Sequence, residues 1–147
     1  MSVLPGLLVA LVMFSATHVM AAEELPTVEV YKSASCGCCG FWVEHMKQSG
    51  FKVNVHNVND VTPMRQNFKV PDAMASCHTA VVGGYAIEGH VPAADVKRLL
   101  RERPKAAGIA VPGMVQGSPG MEQGRGKDPY NVMLFSKGGK SSVFAQH

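Results

Sequence analysis

Thr27-Val28-Glu29-Val30-Tyr31 alternates apolar and polar side chains and is rich in β-branched residues, the pattern of a strand with one face buried. After Ser33-Ala34-Ser35 the period changes: Phe41, Trp42, Val43 and Met46 recur at helical spacing until Gly50, a helix stop. Alternation returns from Phe51 to Val58, where Val53, Val55 and Val58 stand among polar neighbours. Thr62-Pro63 is a cap and first-turn pair and predicts a short helix ending near Phe68. Thr79 to Val82 and Tyr85 to Ile87 flank Gly83-Gly84, which predicts a hairpin. Ala93 to Arg103 then carries Val96, Leu99 and Leu100 on one face of a helix that Pro104 ends. Between Pro104 and Lys127, Gly108, Gly113, Gly117, Gly120, Gly124 and Gly126 with three prolines argue against regular structure, so a long loop is expected. Asn131 to Phe135 and Ser142 to Phe144 around Gly138-Gly139 predict a closing hairpin. A loop tethered at both ends in this way is a candidate lid.

The resulting order, β-α-β-α-β-β-α, is an α/β pattern that resembles the thioredoxin or glutaredoxin layout, with a cysteine motif between the first strand and the first helix. A chain of 147 residues fits one domain. The 14 basic and 11 acidic side chains all lie after residue 22. Before that, Leu4 to Phe14 is apolar and is followed by the small residues of Ala16 to Ala22, so residues 1–22 read as a signal peptide cut after Ala21 or Ala22. Residues 23–147 are then one thioredoxin-like domain, with 104–127 as the Gly/Pro-rich loop and 131–144 as the closing hairpin. A hydrophobic content of 46% excludes a disordered tail, and a net charge of +3 without a basic run argues against nucleic acid. No later run of about 20 apolar residues exists, so no membrane span is expected after signal cleavage.

Cysteine chemistry changes the picture most. Cys36 and Cys39 have C-x-x-C spacing, yet a third thiol, Cys38, stands between them, where a disulfide exchanger needs only two. Set against the glutaredoxin hairpin, His78 takes the place of the proline that precedes the third strand, and Cys77 sits beside it. A distant cysteine and histidine are thus expected to reach the motif. Soft thiolates select Cu(I), and closely set thiolates favour a polynuclear, sulfur-bridged Cu(I) centre over a single zinc ion in a four-ligand cage. Met114 and Met121 lie in two similar turns, Val111-Pro112-Gly113-Met114 and Ser118-Pro119-Gly120-Met121, and offer thioethers or fill a gap beneath the loop. Ordinary disulfides among the four cysteines and an iron–sulfur carrier are the competing readings, the latter having no use for methionines. His90 reads as a turn residue, and His45 and His56 as solvated.

Cys36-Gly37-Cys38-Cys39, Ser76-Cys77-His78-Thr79, Gly83-Gly84-Tyr85, Glu88-Gly89-His90-Val91-Pro92, Val111-Pro112-Gly113-Met114 and Gly117-Ser118-Pro119-Gly120-Met121-Glu122 together resemble the CopG family of exported, thioredoxin-like copper-resistance proteins, distinct from the DNA-binding repressors of that name. One departure is Val115, where the family is expected to carry proline. The resemblance implies periplasmic copper handling, with Cys36, Cys38, Cys39 and Cys77 as the carried-over thiols. It implies copper ions, and other periplasmic copper-handling proteins, as partners. Two classes of function follow: a copper-binding protein that sequesters, transfers or redox-cycles Cu(I)/Cu(II), or a glutaredoxin-like thiol-disulfide oxidoreductase with Cys36 as nucleophile and Cys39 resolving.

Overall fold

The structure is a computed structural model that describes residues 24–124 and 126–147. The expected signal peptide, residues 1–22, lies outside the described residues. Among the described residues, seven strands and three α-helices follow in the order β1 (Val28–Lys32), α1 (Gly37–Gln48), β2 (Val53–Asn57), α2 (Thr62–Asn67), β3 (Thr79–Val82), β4 (Tyr85–Glu88), α3 (Ala93–Glu102), β5 (Gly108–Ala110), β6 (Asn131–Phe135) and β7 (Ser141–Gln146), with a 3-10 turn at Asp72–Met74 before β3. None of the described helices is long and apolar enough to cross a membrane.

All strands join one sheet in the order β2-β1-β3-β4-β5-β6-β7. β1 pairs in parallel with β2 and β4 in parallel with β5, and the other pairings are antiparallel. A parallel pair needs a crossover, and α1 and α3 supply the two crossovers. Strand alternation sorts the side chains onto two faces. Val28, Val30, Ala80, Val82, Ile87, Ile109 and Val132 pack with Trp42, Val43 and Met46 of α1 and Val96 and Leu99 of α3 in one core. Ala86, Ala110 and Phe135 point the other way and meet Val70 and Met74 in a second. Trp42, Met46, Ile87, Leu99, Ile109 and Phe135 are wholly or almost wholly buried, each worth about 1.5–3 kcal/mol of transfer free energy.

The boundaries expected from hydrophobic period are met to within one or two residues for the first four strands, the three helices and β6, and β7 runs on to Gln146. One element departs from expectation. The glycines and prolines after Pro104 argue against regular structure, but Gly108–Ala110 is β5, buried between β4 and β6. Three residues in a glycine-rich run show no alternation, and the strand exists because its neighbours satisfy its backbone on both sides. Gly108 is required by that position: a Cβ there would lie 2.0 Å from the Ala86 carbonyl oxygen. From Val111 to Lys127 the described residues form neither helix nor strand.

Gly108→Ala is therefore expected to force β5 away from β4 and to destabilise the fold by about 3 kcal/mol, the upper end of core overpacking costs. Urea unfolding followed by Trp42 fluorescence measures it, and an unchanged midpoint would show that β5 is not held as described.

Candidate metal centre

β1 ends at Lys32, and the chain turns through Ser33-Ala34-Ser35 into α1 with Cys36 as its N-cap residue. Cys38 and Cys39 thus fall in the first turn, where unpaired N–H groups and the helix dipole favour negative charge on sulfur. The second half of the site comes from the hairpin. β3 pairs with β1 through Tyr31↔Thr79, so the residues just before Thr79 lie beside the start of α1. The ligand atoms of Cys36, Cys38, Cys39 and Cys77 all lie within 4.8 Å of one another. The Cys36 and Cys38 sulfurs are 3.6 Å apart, and the Cys39 sulfur lies 3.8 Å from the Cys77 carbonyl oxygen.

Cys36 and Cys39 are joined as a disulfide, while Cys38 and Cys77 are thiols. A pair of disulfides, one of the readings open from the sequence, is not what the chain forms. Cys77 also heads a second group with His78 and His90, again within 4.8 Å. His90 Nε2 lies 3.0 Å from the Cys77 sulfur, and on the far side of the ring Nδ1–H donates to the Pro119 carbonyl at 2.7 Å. That bond leaves the Nε2 lone pair facing the sulfur, so the thiol proton is shared toward His90. His78 presents Nδ1 to the same sulfur at 3.4 Å, packs its ring on Trp42 at 4.5 Å, and leaves Nε2 buried without a hydrogen-bond partner among the described residues.

Electrostatics follow from burial. Desolvation, reinforced by neighbouring Cys38, pushes the Cys77 thiol up to about 12, so Cys77 keeps its proton when no cation is near. Burial likewise holds His78 down to about 3, with His90 nearby adding to the effect, and burial lowers His90 as well. Both imidazoles are therefore neutral and available as ligands at neutral pH. Lys32 is buried at the end of β1 with its ammonium on the Ser33 carbonyl at 2.8 Å, and none of the described carboxylates pairs with it.

The long loop reaches this site. A Cβ on Gly120 would lie 2.8 Å from both the Cys38 carbonyl oxygen and the Trp42 backbone nitrogen and 3.2 Å from His90 Nδ1, and its φ of +87° also favours glycine. The second glycine-rich turn therefore sits directly on the first turn of α1. Met121 follows Gly120 and is half-buried, whereas Met114 is 60% exposed beyond the first turn. Of the residues singled out in the sequence, the four cysteines and His78 come together, and the loop turns that carry the methionines lie against them. His90, a turn residue by its neighbours in the chain, instead faces Cys77. The hairpin itself carried the signal: continuing the Thr79↔Glu88 register two residues outward sets Cys77 opposite His90. His45 is half-buried rather than solvated, and its Nε2 accepts the Ala93 N–H at 3.0 Å.

The family model described as protein of unknown function, DUF411, matches residues 74–121, the stretch from Met74 through the hairpin to Met121. A search of the curated proteins returns no match. Two solved structures, forms 1 and 2 of copper resistance protein CopG, are similar at 45% identity. Form 1 covers 84% of this chain and 98% of its own, with a TM-score of 0.79; form 2 covers 84% and 99%, with a TM-score of 0.80.

Burial of His78 has a consequence for stability. The unfolded chain takes up a proton on this imidazole near 6.5 and the folded chain only near 3, so in between the unfolded state binds more protons. Its contribution is complete above 6.5 and is lost as pH falls toward 3. Urea unfolding of the metal-free protein at about pH 7 and about pH 4.5 is expected to show a smaller acid loss in His78→Leu than in wild type. Equal losses would show that His78 does not carry the dependence.

Proposed function

As the chain belongs to the family of copper resistance protein CopG, we propose that it is an exported copper-binding protein whose cysteine cluster sequesters, transfers or redox-cycles Cu(I)/Cu(II) and so contributes to copper resistance. One observation carries the reading: four sulfurs converge within 4.8 Å at a helix N-terminus, and two buried, neutral imidazoles face one of them. Such a donor set is soft, with borderline nitrogen donors added, and it suits copper in both oxidation states. Once the Cys36–Cys39 disulfide is reduced, four thiolates stand close together, with the Cys36 and Cys38 sulfurs 3.6 Å apart here, and such spacing favours shared, bridging thiolates, hence a polynuclear Cu(I) centre. His90 joins Cys36, Cys38, Cys39, Cys77 and His78 as a proposed ligand. Met114 and Met121 are proposed as thioether donors from the covering loop, since neutral ligands add no negative charge to a thiolate site.

Cysteine redox chemistry is the device for cycling. Two Cu(II) ions taking one electron each from the Cys36 and Cys39 thiols give two Cu(I) ions, the Cys36–Cys39 disulfide and two protons released to water. The Cys36–Cys39 disulfide is the oxidation state that such a step leaves, which supports the reading. We place the protein in the periplasm, which rests on the signal-like residues 1–22 and on cysteine use suited to an oxidising compartment. The thioredoxin-like description of the first four strands and three helices is likewise our reading, supported by the β2-β1-β3-β4 order with β1 and β2 parallel. Proteins that deliver copper to the site or collect it are the proposed partners.

Cu(I) titration against a competing chelator tests the reading. Cys77→Ser is expected to lower the number of copper ions held per chain and to weaken binding about tenfold or more, since even outer-shell substitutions cost that much. Unchanged stoichiometry and affinity would remove Cys77 from the site. Because Cys77 holds its proton up to about 12, copper must displace it throughout the ordinary range, so apparent affinity is expected to rise with pH.

The Cys36–Cys39 disulfide also favours a second reading, thiol-disulfide exchange of glutaredoxin type. Cys38, 3.6 Å from Cys36, works against it by capturing any mixed disulfide formed there. Insulin reduction by metal-free protein is expected to be slow, and glutaredoxin-like rates abolished by Cys36→Ser would reverse the order of the two readings.

A further inference from the structure

Ala75 to His78 lies between the 3-10 turn and β3 and belongs to neither, yet it carries Cys77. What holds it is on the sheet face opposite α1 and α3. Glu88, at the end of β4, is fully buried there. A carboxylate taken out of water needs its charge balanced and its lone pairs met. Glu88 Oε1 accepts from Arg65 Nε at 2.9 Å and from the Ser76 N–H at 2.8 Å, and Oε2 accepts the Thr79 hydroxyl at 2.6 Å. Arg65, 13% exposed, reaches over from α2 and uses a second arm, Nη2, to donate to the Ser76 carbonyl at 2.7 Å. Both backbone polar groups of Ser76 are thus held by one buried ion pair, one residue from the sulfur.

The same segment anchors the loop. The Ser76 hydroxyl donates to the Gly113 carbonyl, and the Gly113 N–H donates to the Ala75 carbonyl at 3.0 Å. None of the bonds made by Arg65 or Glu88 goes to a sulfur. A buried ion pair is a weak source of net stability, because apolar side chains of similar volume fill the same space at no desolvation cost. What it provides is direction: a planar guanidinium fork and a carboxylate fix one peptide in place.

We propose that Arg65 and Glu88 are positioning residues of the thiol site. They fix the Ser76 peptide, and through it they hold the Cys77 sulfur against His90 and the thiols of α1 and hold the Gly113 turn beside it. The effect on copper rests on the reading of Cys77 as a ligand; the effect on Cys77 itself does not.

The test compares wild type with Arg65→Met, Arg65→Lys and Glu88→Gln, the last retaining an acceptor for the Ser76 N–H. In reduced, metal-free protein, alkylation of Cys77 relative to Cys38 is read peptide by peptide by mass spectrometry. Arg65→Met is expected to raise that ratio about tenfold through local opening of the segment, and Arg65→Lys, which restores the charge, to bring part of it back. In copper-loaded protein the thiolate-to-copper absorption is expected to shift and affinity to fall about tenfold. A purely structural pair would lower the melting temperature yet leave the alkylation ratio and the absorption unchanged in protein still folded by circular dichroism, and that result overturns the proposal. If Arg65→Met does not fold, the other two variants carry the same comparison. If wild type holds no copper, the copper reading fails while the alkylation ratio still decides the positioning role.

Discussion

Everything at the thiol site depends on the register of β3 between β1 and β4. Tyr31↔Thr79 on one side and Thr79↔Glu88 on the other fix where the chain before Thr79 can go. With that register Cys77 reaches the first turn of α1 and stands opposite His90. A slip of one residue would turn Thr79 from the Glu88 face to the Trp42 face and carry Cys77 away from the helix. Both cores resist such a slip, because Ala80 and Val82 are packed against α1 and α3 while Ala86 is packed on the other side.

Within that frame the site sets two forces against each other. The start of α1 favours negative sulfur, whereas burial and mutual repulsion disfavour it and keep Cys77 protonated. A soft cation resolves the conflict, since its charge offsets both the repulsion and the desolvation of the thiolates. His78 and His90 contribute in the same sense: burial keeps them neutral, so they add donor atoms without adding charge. A C-x-x-C redox pair needs none of this second set, which is why the hairpin side of the site, rather than the disulfide alone, favours metal.

The glycine-rich loop is held at its ends by β5 and β6, and along its course by close contacts that only glycine permits. Gly120 lets the loop backbone rest on the backbone of α1, and the neighbouring Pro119 carbonyl accepts the hydrogen bond from His90 Nδ1–H. The loop therefore bears on the site through its main chain. That dependence on backbone atoms explains why a segment with so few chemically active side chains bears on the chemistry of the thiols.

Much of the molecule was legible in the sequence. Hydrophobic period marked the helices and six of the seven described strands, and C-x-C-C marked three of the thiols, because these signals are local and repeat within a few residues, whereas Cys77 joined them only through the register expected of the hairpin. β5 was not legible, since three residues beginning with a glycine carry no period and form a strand only when β4 and β6 pair with them. His90 could not be told from a turn residue by its neighbours in the chain, and the roles of Arg65 and Glu88 had no local mark at all. Ion pairing and hydrogen bonding at those positions join groups 11 to 29 residues apart in sequence. Side-chain chemistry and local period are written in the chain, but which donors share a buried space is decided only when the sheet closes and water is excluded from between them.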